Sequence, residues 1–479
     1  MISADTVILI LAIFFGLYMA WSIGANDVAN AMGTSVGSGA LTLKRAIIIA
    51  SVLEFSGAFF VGSHVSETIR KGIIETNIFA SSPDLFIYGM LAALLTAAIW
   101  LQIASYFGWP VSTTHSIVGS ILGFGILIGG FSAIHWGKIA SIVASWVVSP
   151  VLSASIAFII FNILRYKIFY QPDPMKATKK VAPVLIFFVF FVLSLVMMFK
   201  GLKNLHLNLN LTHSLLISTI VGLVAGFIGK KLLNKIEDEI IEEEDEQPIN
   251  IPSARLKFNL FRAQKRIEKS VELAPHNIKH RLTEILNQLK DVNSELEIYD
   301  VDEVADRKNV AGVEKVFAYL QILSAGFVAF AHGANDVANA VGPLAAIIAV
   351  LKTGIVSLKA PVPPWILLLG GLGIVIGLAT WGWRVMLTIG KKITELTPTR
   401  GFSAEFSAAI TILLASRLGL PISTTHTLVG AVLGVGMARG FTALNMRVLR
   451  NIVVSWLITI PVGAIGVIFI FYILKFIFS

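Results

Sequence analysis

The chain has 479 residues, of which 56% are hydrophobic and only 14% charged; soluble domains carry about 25% charged residues, so a wholly water-exposed fold is excluded. Its net charge of +9 does not indicate nucleic acid, because the basic residues stand mostly at the ends of apolar blocks, where membrane topology places them. The sequence contains no cysteine, which removes disulfides and thiolate metal sites.

Long apolar blocks, 8–20, 86–107, 181–199, 365–389 and 452–478 among them, are barely interrupted by charge. About 20 mainly apolar residues make one helical crossing. The pattern predicts crossings near 5–24, 44–64, 84–107, 111–130, 138–165, 181–200 and 213–231, then 314–334, 364–390, 403–418, 421–438 and 448–476. The first block lacks a basic leader and runs straight into a polar motif, unlike a secretory signal. The stretches 111–130, 421–438 and 338–351 have the length of half-helices that enter and return. The expected fold is an all-α polytopic membrane protein of about 12 hydrophobic segments, with re-entrant half-helices.

Between the blocks, 232–311 reads as a soluble helical insert. Glu237 to Glu246 is an acidic run, and Leu282, Ile285, Leu286 and Leu289 follow at helical spacing. It serves either as a solvated connector or as a partner-binding module. The expected divisions are 1–231 (a repeat core at 5–165 plus two further helices within 181–231), the insert 232–311, and 312–479.

With the N-terminus outside, Lys44, Arg45, Arg165, Lys167, Lys176, Lys179, Lys180, Lys230, Lys231, Lys391, Lys392, Arg400, Arg439, Arg447 and Arg450 fall mostly on one side. The positive-inside rule makes that side, and the insert, cytoplasmic, in a multi-pass protein of the cell membrane. Arg70, Lys71, Lys200 and Lys203 run against the bias.

The chain also repeats itself. Gly24-Ala25-Asn26-Asp27-Val28-Ala29-Asn30-Ala31 recurs unchanged at Gly333 to Ala340. Pro110-Val111-Ser112-Thr113-Thr114-His115 recurs as Pro421-Ile422-Ser423-Thr424-Thr425-His426, and Ser145-Trp146 as Ser455-Trp456. A weaker match sets Val65-Ser66-Glu67 against Ile393-Thr394-Glu395, which places Glu54 opposite Gly382, while the spacing of the Pro-x-Ser-Thr-Thr-His repeat places Glu405 opposite Leu94, so the two acids do not align with each other. Seven predicted crossings precede the second copy. The two repeats are therefore expected to be inverted, with a binding site near the midplane where they meet.

Asn26, Asp27 and Asn30, like Asn335, Asp336 and Asn339, end an apolar helix. A carboxylate at membrane depth marks an ion or substrate path, and Asn and Asp oxygens beside small residues suit a hard cation such as sodium. Protons on the carboxylates are the alternative. The Pro-x-Ser-Thr-Thr stretches read as half-helix starts, whose free N–H groups and hydroxyls bind oxyanions without Lys or Arg; the plainer reading is a serine cap satisfying its own backbone. His115 and His426 are expected to be packed and hydrogen-bonded. A phosphoryl group of charge about −1.5 to −2 beside Asp27 and Asp336 is tolerable only if cations or protons accompany it.

These duplicated motifs resemble the inorganic phosphate transporter (PiT) family of cation-coupled phosphate symporters, over nearly all of both membrane halves. The resemblance implies that Asp27 and Asp336, with Asn26 and Asn335, form cation (sodium) sites. It implies that Ser112, Thr113, Thr114, Ser423, Thr424 and Thr425 hold phosphate, and that Glu54 and Glu405 are functional acids. The expectation is a symporter importing phosphate by alternating access in the lipid bilayer, with sodium as co-substrate and no cofactor. Proton coupling, a metal–phosphate complex or sulfate are the variants, and the oligomeric state is open, a homo-oligomer included. A passive channel would leave the paired acids and anion cradles without a reason. An enzyme is not expected, since the spacing of catalytic triads and metal-ligand sets is missing.

Overall fold

In the computed structural model the described residues are 3–62, 73–198, 210–241, 254–298, 307–356, 362–417, 422–440 and 444–478. Pro421, the stretch 65–67, Arg70, Lys71, Lys200, Lys203 and the acidic residues past Ile241 lie outside them, as does the side chain of Asn30. The apolar blocks form helices whose ends carry the expected punctuation. α1 (Ala4–Asn26) begins after Ser3, whose side chain caps Thr6 N, and α2 (Val28–Gly37) follows after Asp27. α3 (Leu43–Val61) is capped by Thr42. α4 (Pro83–Phe107) starts on proline and stops at Gly108, whose φ of 67° favours glycine.

α5 (Thr113–Gly129) is short, and α6 (Trp136–Leu164) and α7 (Pro174–Val196) are long and apolar. α8 (Leu211–Ile241) leads to α9 (Ala254–Leu273) and α10 (His276–Ile298). α11 (Arg307–Thr353) is one helix of 47 residues. α12 (Pro364–Trp381), α13 (Trp383–Lys391), α14 (Pro398–Arg417), α15 (Thr424–Arg439) and α16 (Met446–Phe478) complete the order.

Among the described residues, eight helical stretches are long and apolar enough to cross a membrane, fewer than the twelve segments expected. Charge interrupts α3 at Lys44, Arg45 and Glu54, and α14 at Arg400 and Glu405. α5 and α15 have 17 and 16 residues, the length of half-helices. Two expectations are corrected. The stretch 338–351 is no separate half-helix, because α11 runs through it and through Pro343. Likewise Asn335 and Asp336 do not end a helix, whereas Asp27 stands at the junction of α1 and α2.

The chain forms two compact units, Met1–Phe161 with Phe188–Gly222 and Ala318–Ser479, and Asn162–Phe187 with Leu223–Phe317. Within the second, α9 and α10 pack as a hairpin. Leu286 is buried there while Ile285 is exposed, so only part of the predicted stripe faces inward. Within the first unit, elements of one repeat pack on elements of the other: α1 on α12, and α5 on α16. α6 and α16 turn Val147, Val151, Ile159, Leu457, Ile465 and Phe469 outward. Such a continuous apolar face suits contact with lipid.

Candidate functional site

The duplicated glycines set the frame. A Cβ on Gly24 would stand 1.9 Å from Ile374 O, and one on Gly333 would stand 2.2 Å from Glu54 O. Only glycine permits backbones this close. Gly377 meets Trp21 O and Gly57 meets Phe330 O in the same exchanged manner. Glu54 therefore occupies the place of Ile374, and Gly57 that of Gly377. This corrects the expected pairing of Glu54 with Gly382, because helix crossings, not the weak match at 65–67, fix the register. His115 and His426 meet between the halves, ring centroids 4.4 Å apart, His115 tilted against Trp146 and His426 stacked on Trp456. They are packed as expected, but of their ring nitrogens only His426 Nδ1 finds an acceptor, Trp146 O at 3.3 Å.

Ser112 and Ser423 are the N-caps of α5 and α15, their Oγ atoms accepting from His115 N at 3.3 Å and His426 N at 3.2 Å. The capping reading thus holds for both oxygens, while each hydroxyl hydrogen can still point into the site. Two threonines of α15 bond the acids, and two of α5 are bonded by Asn339. Thr425 Oγ1 donates to Asp27 Oδ1 at 3.0 Å, across the halves. Thr424 Oγ1 donates to Asp336 Oδ2 at 3.1 Å. At the other start, Asn339 Nδ2 donates to Thr113 Oγ1 at 3.0 Å and to Thr114 Oγ1 at 3.4 Å. Both half-helix starts and both duplicated acids therefore converge on one place, and all six Ser and Thr residues are buried there.

The asparagines divide in role. Asn335 Nδ2 donates to Asp336 Oδ1 at 3.0 Å. Asn26 instead acts as a strut: its Nδ2 donates to Ser105 Oγ and Trp109 O, both at 3.0 Å, and its Oδ1 accepts from Val111 N at 3.2 Å. These bonds hold the approach to α5, so Asn26 shapes the half-helix start.

One buried group was missed in the sequence. His332 is fully buried, with Nε2 2.7 Å from Asp336 Oδ2 and 3.9 Å from Asp27 Oδ2, and Nδ1 3.1 Å from Glu54 Oε1. These are close approaches of ring nitrogen to carboxylate without aligned hydrogen bonds, ion pairs where the imidazole is protonated. Glu54 thereby joins the Asp pair through an imidazole. Asp27, His332 and Asp336 also bring ligand atoms within 4.8 Å of one another, close enough to share a cation. The signal was present: His332 precedes Gly333 where Ile23 precedes Gly24, and an ionisable side chain inside a membrane helix is functional by default.

Glu405 lies apart, about 10 Å along α2 from Asp27 by helical rise. Its Oε1 accepts from Thr34, from Ser35 at 2.8 Å and from Gln321 at 3.2 Å, and its Oε2 from Ser324 at 2.6 Å. The positions equivalent by repeat spacing are Leu94, Phe15 and Leu344, all buried and apolar. This carboxylate nest exists in one half only.

Comparison with known proteins agrees with the geometry. Residues 23–466 match the family described as the phosphate transporter family. A protein named as a phosphate permease in Pyrococcus abyssi is 44% identical, over 97% of this chain and 98% of its own length. The chloroplastic inorganic phosphate transporter 2-1 of Arabidopsis thaliana is 44% identical over 94% of this chain and 70% of its own. A solved structure described as the sodium-dependent phosphate transporter superposes with a TM-score of 0.77, at 40% identity, covering 98% of this chain and all of that one.

Proposed function

This chain belongs to the phosphate transporter family, a family of membrane transporters and not of enzymes, and from that premise we propose that it imports inorganic phosphate together with sodium by alternating access. The observation that carries the reading is that Thr425 and Thr424 at one half-helix start bond both duplicated acids, Asp27 and Asp336, while Asn339, one turn beyond Asp336, bonds Thr113 and Thr114 at the other. An oxyanion at those N-termini is held by backbone N–H groups and by the Ser112 and Ser423 hydroxyls. Beside it stand Asp27, Asp336 and Glu54, against one imidazole. Two further negative charges on the substrate would be prohibitive there unless cations come with it.

Sodium is the cation this site favours. Carboxylate, hydroxyl and amide oxygens dominate it, and such hard ligands suit small hard ions. The sodium-dependent neighbour supports the same choice. Glu405 is assigned a separate cation, because four neutral donors surround its charge and the positive partner would be an ion. The remaining parts of the proposal are two repeats inverted across a cell membrane, an N-terminus outside and the insert 232–311 in the cytoplasm.

Uptake of labelled phosphate into proteoliposomes tests this directly. Accumulation driven by an inward sodium gradient is expected, with none in choline. Equal uptake under a proton gradient without sodium would transfer the coupling role to protons on the carboxylates. Strong competition by sulfate would change the substrate.

A further inference from the structure

Asn339 lies one helical turn beyond Asp336 on α11 and is 1% exposed. Which way an amide points is set by its hydrogen-bond network, and here two hydroxyl oxygens, Thr113 Oγ1 at 3.0 Å and Thr114 Oγ1 at 3.4 Å, take the amide hydrogens of Asn339 Nδ2. Asn339 Oδ1 is left buried and without a hydrogen-bond partner among the described residues. Native proteins rarely leave a buried amide oxygen in that state.

We propose that Asn339 Oδ1 receives the acidic hydrogen of the bound phosphate, making Asn339 the residue that sets phosphate apart from sulfate. The inference rests on the phosphate-symport reading above. Three of the carboxylate oxygens nearby already have donors, Asp336 Oδ1 accepting from Asn335, Asp336 Oδ2 from Thr424 and Asp27 Oδ1 from Thr425, while Asp27 Oδ2 and Glu54 Oε1 face the His332 imidazole. The rest of the cradle is built of N–H and O–H donors, which serve any tetrahedral oxyanion alike. Phosphate keeps at least one hydrogen on oxygen at neutral pH, and sulfate keeps none. A neutral amide oxygen accepts that hydrogen without repelling the anion. Against sulfate the same oxygen meets only lone pairs, and sites built to bond a substrate hydroxyl reject analogues that lack it.

The test compares the full-length protein with Asn339→Leu and Asn339→Asp in proteoliposomes under a sodium gradient. Competitors of phosphate uptake are unlabelled phosphate and arsenate, which carry the hydrogen, and sulfate and monofluorophosphate, tetrahedral dianions that do not. The unsubstituted protein is expected to be inhibited far better by the first pair. Asn339→Leu is expected to narrow that preference by about 10- to 100-fold, the weight of one buried hydrogen bond to a charged group, with sodium half-saturation unchanged. Asn339→Asp keeps an acceptor oxygen in place and is expected to keep the preference. The proposal is overturned if Asn339→Leu retains the full preference, if Asn339→Asp loses it as completely, or if only sodium half-saturation moves, which would make Oδ1 a cation ligand. Should Asn339→Leu fail to fold, the Asn339→Asp result and the competitor series on the unsubstituted protein decide. Absence of sodium-driven phosphate uptake in the unsubstituted protein would strike the symport reading instead.

Discussion

His332 Nδ1 stands 3.1 Å from Glu54 Oε1, and the positions equivalent to these two in the other half are Ile23 and Ile374, both fully buried. The same helix crossing is thus built once with charge and once with hydrocarbon. Removing one member of a buried pair strands the other and costs about 3–5 kcal/mol, while replacing both by packed apolar residues is often neutral. Glu54→Ile alone is expected to lower thermal stability in detergent sharply. Glu54→Ile with His332→Ile is expected to recover much of the loss and to lack coupled uptake. A double variant no more stable than the single one would show that the pair is no unit.

Asp27→Asn and Asp336→Asn are each expected to abolish sodium-driven phosphate uptake in a protein that still folds and inserts. The amide keeps the size, and its oxygen still accepts from Thr425 or Thr424, but the charge that balances a cation is gone. Normal uptake by either variant would refute the cation assignment.

Ser112→Ala and Ser423→Ala each remove an N-cap, worth about 0.5–2 kcal/mol of stability, together with a hydroxyl donor to the anion. Both a lower melting temperature and weaker phosphate half-saturation are expected. If stability falls but phosphate half-saturation stays, the serines are caps alone.

Gly24→Ala and Gly333→Ala place a methyl against backbone, 1.9 Å from Ile374 O and 2.2 Å from Glu54 O. The helices must separate, at a cost of about 1–3 kcal/mol or more. Poor yield of folded protein is expected from either variant. Normal melting curves would show that the crossings have slack.

Glu405→Gln leaves the Asp pair untouched. A higher sodium requirement is expected, with phosphate half-saturation in saturating sodium unchanged. An unaltered sodium curve would remove Glu405 from the cation path.

The legible part of this site lay in identities that the chain repeats. Eight identical residues at Gly24 and Gly333, and serine followed by two threonines at each half-helix start, singled out before any coordinates the residues that the structure brings together. The register between repeats was harder to read, because it depends on helix crossings. With Glu54 set against Ile374, the residues Val65, Thr68, Ile69 and Lys71 align with Val385, Thr388, Ile389 and Lys391. Those are better matches than the ones first visible, yet they are scattered singly and carry little weight without the crossing that fixes them. His332 escaped for the opposite reason: a search for likeness passes over the place where the copies differ. The unbroken course of α11 past Asp336 was equally hidden, since the same eight residues in the first half sit across a helix junction.

The nest around Glu405 gives the duplicated frame a polarity. With the repeats inverted as proposed, a structure doubled without change would present the same chemistry toward either side of the bilayer, and forward and reverse cycles would be kinetically alike. On that proposal, an ion travelling one way from the centre would pass a carboxylate bonded by three hydroxyls and an amide, and one travelling the other way would pass leucine and phenylalanine. Influx and efflux measured at matched gradients would then saturate at different sodium concentrations, a rectification written into two sets of side chains on one repeated scaffold.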